Sequence, residues 1–159
     1  MGPTDRPLTP GDLVRVEVFG MIGGYHAGVC RTAVVGQGPP EAPRIWSHMV
    51  ECQRLNLELI RPGVSSEEVY RRFTEAFTAH GYEPISFVGH GIGLYLHEEP
   101  YLGAFGHWEL EEGMVLGVEP VLFVPGRYGL QLKDIVAVTA EGSELLSDVT
   151  DTTELLMVE

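Results

Sequence analysis

The chain has few basic residues and no long apolar run. Of its 159 residues, 10 are lysine or arginine and 23 are acidic, which gives a formal net charge of −13. An acidic chain without a Lys/Arg cluster is poorly suited to bind nucleic acid or an anionic membrane. No apolar stretch reaches the roughly 18 residues of a membrane-spanning helix. We therefore expect neither nucleic acid nor a membrane as a partner.

Cysteine is also scarce. Cys30 and Cys52 are too far apart in sequence for a local metal knuckle, and two cysteines make no disulfide framework. A reduced, cytoplasmic location is therefore expected. Residues 1–12 show no basic region followed by an apolar one, so no signal peptide is predicted. The length and the 44% hydrophobic content suit a single globular domain over residues 1–159.

The order of the predicted elements indicates an α+β domain. Alternating apolar and polar residues predict a strand over Leu13–Phe19, and a glycine-rich turn leads to a second strand over Cys30–Gly36. Two helices are then predicted, from about Arg44 to Ile60 and from Ser65 to about His80. The remaining predicted strands are Phe87–Gly89, Met114–Phe123 and Leu130–Thr139.

Two histidines and a glutamate indicate a polar site. His90 and His97 flank a glycine-rich turn, and Glu119 lies within the apolar run VLGVEPVLF. A carboxylate in an apolar strand requires a metal, an arginine or a proton unless it faces water at the strand edge. A lone histidine is more often structural, but two of them together with Glu119 make general acid–base hydrolysis plausible. These residues do not identify a substrate.

Three further positions are ambiguous. Glu17 lies in the alternating segment LVRVEVF and is either part of a solvated face or part of a site. Arg31 either neutralises a carboxylate or is exposed. Lys133 and Asp134 are interpreted as an exposed pair of little energetic weight.

Five segments resemble, in order, the pita-bread superfamily of methionine aminopeptidases, Xaa-Pro aminopeptidases and dipeptidases, and creatinase. They cover residues 11–36, 61–70, 89–100, 113–123 and 128–139. The resemblance implies the C-terminal portion of that fold, an antiparallel sheet covered by helices. It also implies that residues 1–159 are an N-terminally truncated catalytic domain, because the superfamily's acid–base histidine lies upstream of the first segment.

The resemblance places the ligands of a dinuclear manganese or cobalt site at five positions: Glu17, Gly28, His90, Glu119 and Lys133. Gly28 offers no ligand, and the ammonium of Lys133 would repel a divalent cation. We therefore predict no metal and no other cofactor. Lys133 is expected to pair with Glu17 or Glu119 and to hold the pocket together without an ion.

The implied function is that of a hydrolase of C–N bonds related to the Xaa-Pro peptidases and creatinase, acting on a small peptide or amidino acid without a metal. The alternative is a catalytically inactive remnant or binding module of the same fold. The candidate catalytic residues are His90, His97, Glu119 and Glu17, and the candidate substrate-binding residues are Gly91 and Arg31. A truncated sheet would expose apolar surface, so we expect a homodimer.

Overall fold

The computed structural model describes residues 5–147 and 149–159. A long antiparallel hairpin opens the fold, formed by β1 (Leu13–Ile22) and β2 (Tyr25–Val35). The turn between them is Gly23–Gly24, and both residues have positive φ, a conformation that side chains disfavour. Both strands extend further towards the turn than the sequence predicted, because pairing continues through the glycine-rich tip.

The two helices match the prediction to within about two residues at each end. They are α1 (Ala42–Leu59) and α2 (Ser66–Ala79). The side chain of Ser65 caps α2 by accepting a hydrogen bond from the backbone N–H of Glu68 at 3.1 Å. No helix among the described residues is long and apolar enough to cross a membrane.

Three sheets complete the domain. The largest is a five-stranded antiparallel sheet of order β4-β3-β5-β8-β9, a smaller one pairs β6 with β7, and the third adds β10 in parallel beside β2. The strands are β3 (Phe87–Gly91), β4 (Glu98–Gly103), β5 (Val115–Val118), β6 (Val121–Val124), β7 (Tyr128–Gln131), β8 (Asp134–Thr139), β9 (Gly142–Leu145) and β10 (Leu156–Val158). Buried apolar residues of both helices and of β3, β4, β5 and β8 form one core, so the α+β prediction is confirmed.

The predicted strands Met114–Phe123 and Leu130–Thr139 are each two strands, so both predictions were wrong in detail. The first is interrupted at Glu119–Pro120, where proline supplies no N–H for a ladder. The second is interrupted before β8, where Lys133 leaves the regular ladder and pairs with Cys30 of β2 instead. The two interruptions place Glu119 and Lys133 at the junction of the sheets.

Candidate functional site

Lys133, the only lysine in the chain, is the centre of the site. Its side chain is fully buried. Its Nζ lies 3.1 Å from Glu119 Oε2, 3.2 Å from Glu17 Oε1 and 3.2 Å from His90 Nε2. The interpretation of Lys133 and Asp134 as an exposed pair was therefore wrong, whereas the expected pairing of Lys133 with the glutamates is present with both of them.

His90 is fixed as the neutral tautomer with its proton on Nδ1. The carbonyl oxygen of Gly91 lies 2.7 Å from Nδ1, and a carbonyl can only accept a hydrogen bond. The lone pair of Nε2 therefore accepts from the Lys133 ammonium. Burial of the ring, with the nearby charge of Lys133 acting in the same direction, lowers the pKa of His90 to about 4. His90 is therefore uncharged at neutral pH.

The two carboxylates differ in their access to solvent. The Glu119 side chain is only 7% exposed, and its Oε2 also accepts a hydrogen bond from Gln131 Nε2 at 3.2 Å. The Glu17 side chain is 25% exposed, so its carboxylate is the group through which the site meets water. Two carboxylates, one ammonium and a neutral imidazole leave the cluster with a net charge of −1, which favours a cationic ligand group.

Phe19 fills the space beside Gly28. The two residues are partners across the hairpin. A Cβ atom added to Gly28 would lie 2.7 Å from Cε1 of the Phe19 ring, so the ring occupies the volume of a side chain at that position. The same ring has its centroid 5.3 Å from Lys133 Nζ, within cation–π range. Phe19 is not among the site residues predicted from the sequence. Its position opposite Gly28 could have been found by counting outwards along the two strands from the Gly23–Gly24 turn.

His97 stacks on His90, with ring centroids 3.7 Å apart and ring planes 12° from parallel. It is exposed, unlike His90. Donor atoms of His90, His97 and Glu119 lie within 4.8 Å of one another. A metal ion bound through an imidazole nitrogen lies in the ring plane, and two near-parallel stacked planes cannot share one ion. As arranged, the two rings therefore do not form a chelating pair.

Arg31 neutralises a carboxylate, but that carboxylate belongs to Asp134. Its Nη2 lies 2.7 Å from Asp134 Oδ1, and both side chains are almost completely buried. Its Nη1 donates to the carbonyls of Lys133 and Cys30, and its Nε donates to Thr150 Oγ1. Its Nη1 and Nη2 thus hold β2 against the start of β8, and its Nε joins β2 to Thr150. As a substrate-binding residue, Arg31 remains only a prediction.

Gly91 is required by the close approach of β3 to β4. A Cβ atom at this position would lie 2.8 Å from the carbonyl carbon of Glu99. Its own carbonyl fixes the His90 tautomer. The structure thus brings His90, His97, Glu119 and Glu17 together at one place, with Gly91 adjacent to them.

A hairpin, two helices and an antiparallel sheet, with polar residues converging where the strands join, define the C-terminal part of a pita-bread fold. The chain belongs to metallopeptidase family M24, whose model matches residues 1–140.

Curated relatives and solved structures agree with this placement. The chain is 38% identical over 145 residues to a probable dipeptidase PepE of Mycobacterium tuberculosis (strain ATCC 25618 / H37Rv), covering 89% of this chain and 39% of that protein. It is 30% identical over 146 residues to the Xaa-Pro dipeptidase of Pyrococcus furiosus, covering 91% and 42%. The crystal structure of dipeptidase PepE from Mycobacterium ulcerans matches with a TM-score of 0.91 at 34% identity, covering 98% and 42%. The chain thus spans about two fifths of the length of these relatives.

Proposed function

We propose that the chain is a metal-independent hydrolase that acts on a C–N bond of a small peptide or amidino acid in the cytoplasm. Membership of family M24 and relatives named as dipeptidases support the reaction class and the peptide substrate. Two free, buried cysteines are consistent with a reducing compartment. The observation that carries the metal-independent part is the Lys133 ammonium held between Glu17 and Glu119.

The donor set does not fit a dinuclear metal centre. A divalent ion shared by Glu17 and Glu119 would need the carboxylates that already bind Lys133 Nζ. An ammonium about 4 Å from a divalent cation is repelled by roughly 8 kcal/mol at an effective dielectric constant near 20. Gly28 supplies no ligand, and Phe19 fills the space beside it. These features support a site in which Lys133 provides the positive charge.

The proposed roles follow from burial and tautomer. Glu17, which faces solvent, binds a positively charged substrate group such as an α-ammonium or amidinium. His97, which is exposed, takes a proton from the attacking water as its oxygen bonds to the substrate carbon, and delivers one to the nitrogen as the C–N bond breaks. His90 is neutral and positions Lys133.

Turnover in the presence of a chelator tests this proposal. A panel of Xaa-Pro dipeptides and guanidino acids would be incubated with protein dialysed against EDTA, and products would be measured by mass spectrometry. We expect turnover that chelator does not reduce and that His97→Ala abolishes. His107→Ala is the matched control, because His107 is an exposed histidine outside the cluster. Activity that requires added manganese would overturn the metal-independent part.

A second candidate function is binding without turnover. It is favoured by the contacts of Lys133 with both Glu119 and His90, because groups that already bind one another are less free to transfer a proton to or from a substrate. Calorimetry with Xaa-Pro dipeptides would then show binding that is weakened by Glu17→Gln, with no product formed over the same period. Product formation by the wild-type chain would exclude this candidate.

A further inference from the structure

The side chain of Arg31 lies on the opposite face of β2 from the Glu17 carboxylate. Cys30 is the cross-strand partner of Glu17, and the side chains of opposite residues in a ladder lie on the same face. Successive residues of a strand alternate between its two faces, so Arg31 lies on the other face from Cys30. The guanidinium is therefore separated from Glu17 by the strand itself.

Arg31 instead binds the main chain of Lys133. Its Nη1 donates to the Lys133 carbonyl at 2.8 Å and to the Cys30 carbonyl at 2.9 Å. The Lys133 carbonyl also accepts from the Cys30 N–H at 3.2 Å, and the Lys133 N–H donates to the Cys30 carbonyl at 3.0 Å. Lys133 lies between β7 and β8 and outside both strands, so these hydrogen bonds hold its main chain against β2.

Asp134 holds the guanidinium in place. Its Oδ1 accepts from Arg31 Nη2 at 2.7 Å and from Ser147 Oγ at 2.9 Å, and its Oδ2 accepts from Gln53 Nε2 at 3.4 Å. Asp134, Ser147 and Gln53 are all buried. A buried carboxylate with donors on both oxygens has a fixed orientation, and its charge-assisted bond fixes the orientation of the arginine.

The ammonium of Lys133 tolerates little displacement. Its three acceptors lie 3.1–3.2 Å away, on Glu119 after β5, Glu17 of β1 and His90 of β3. Hydrogen bonds from nitrogen weaken beyond roughly 3.2 Å, so a shift of about 1 Å away from any one acceptor breaks that bond. The acceptors belong to three different segments and do not move together with the lysine. The main-chain position of Lys133 therefore decides whether the ammonium binds all three.

We propose that Arg31 is a positioning residue of the site. It holds the main chain of Lys133 and thereby places the ammonium among its three acceptors. The ion pair with Asp134 neutralises the guanidinium, so Arg31 fills this role without adding net charge beside the cluster. The inference rests on the proposed function only in taking Lys133 as the positive charge of the site, and it requires no turnover.

NMR of the full chain labelled with [ε-¹³C]lysine tests this placement, because Lys133 is the only lysine. The two ε-protons of a held side chain lie in different surroundings and have separate chemical shifts, whereas a side chain that samples several rotamers averages them. The test variant is Arg31→Met/Asp134→Asn, which removes the guanidinium without leaving a buried carboxylate unpaired. We expect the separation of the two ε-proton shifts to fall to about half of the wild-type value or less.

Two controls distinguish positioning from a general loosening of the fold. Arg127→Met/Glu41→Gln removes a more exposed Arg–carboxylate pair, at the β6–β7 turn, and should leave the separation of the ε-proton shifts unchanged. Val138→Ala removes buried apolar contacts of β8 but none of the Arg31 contacts. It should lower the melting temperature and leave the separation at the wild-type value.

Ser147→Ala is a milder test variant. It removes one donor to Asp134 and keeps the ion pair, so it should reduce the separation by less than the double variant does. Circular dichroism verifies that each variant folds. A wild-type separation in folded Arg31→Met/Asp134→Asn, or an equal reduction in Val138→Ala, would overturn the proposal. If the double variant does not fold, a wild-type separation in Ser147→Ala would overturn it. None of these measurements uses a substrate, so they are independent of whether the proposed hydrolysis is observed.

Discussion

Replacing Lys133 with methionine should strongly destabilise the fold. Methionine has similar length and fills similar volume but carries no charge. The substitution leaves Glu119, only 7% exposed, without the ammonium 3.1 Å away. Glu17 also loses its partner, but it retains access to water.

The magnitude follows from these distances and exposures. At an effective dielectric constant near 20, the attraction between Lys133 and Glu119 is about 5 kcal/mol. The attraction to Glu17 is smaller because solvent screens it, and desolvation of the buried ammonium offsets part of both. Removing one partner avoids that desolvation cost but leaves a buried carboxylate without its counter-ion. We therefore expect Lys133→Met to lower the free energy of unfolding by roughly 3–5 kcal/mol.

Urea denaturation at pH 7.5 measures this loss. Arg61→Met removes one positive charge from an exposed side chain and should change stability by less than about 0.5 kcal/mol. The double variant Lys133→Met/Glu119→Gln should regain most of the loss, because the uncompensated charge is gone. If Lys133→Met costs less than about 1 kcal/mol, the ammonium does not balance the buried carboxylate and the reasoning fails.

Three other outcomes are expected. Burial lowers the pKa of His90 to about 4 in the folded chain, so the stability gained from its neutral ring is complete above its ordinary pKa of 6.5. Up to roughly 3 kcal/mol of the free energy of unfolding is lost as the pH falls from 6.5 towards 4. His90→Gln should remove this part of the pH dependence of unfolding, and an unchanged pH profile would contradict the prediction. Gly28→Asp should cost at least about 1 kcal/mol in thermal unfolding because it displaces the Phe19 ring, and Phe19→Ala/Gly28→Asp should be no less stable than Phe19→Ala alone. The triple variant Phe19→Ala/Gly28→Asp/Lys133→Glu should retain manganese or cobalt in elemental analysis after desalting, and retention by the wild type at the same level would contradict the account.

Sequence patterns over a few neighbouring residues predicted the first hairpin and the second helix. The alternation from Leu13 and the serine cap at Ser65 placed the hairpin and α2 correctly. Strand β4 was missed because Glu98-Glu99-Pro100 is charged and contains proline, which is typical of a loop. It forms a strand because it lies at the edge of the five-stranded sheet, where proline is tolerated.

The site was predictable only in part. The resemblance assigned its residues, and it led to the expectation that Lys133 would pair with a glutamate. The residue pattern alone gave Lys133 as exposed, since its burial depends on partners that lie far away in sequence, at Glu17 and His90. The neutral tautomer of His90 depends on the carbonyl of Gly91, and the role of Phe19 depends on packing against Gly28. Spacing about the Gly23–Gly24 turn sets Phe19 opposite Gly28, but it does not show that the ring fills the space there or where the carbonyl of Gly91 points.

We propose that the Lys133 ammonium takes the place of a metal ion in the cluster. Because Lys133 is the only lysine, protein labelled with [ε-¹³C]lysine gives a single side-chain NMR signal from the site itself. The decisive measurement is that signal after addition of one equivalent of Mn²⁺, whose unpaired electrons broaden nearby nuclei. We predict that the signal persists without broadening, because the ion does not enter the cluster. Loss of the signal at one equivalent would show that manganese binds close to Lys133 and would contradict this proposal.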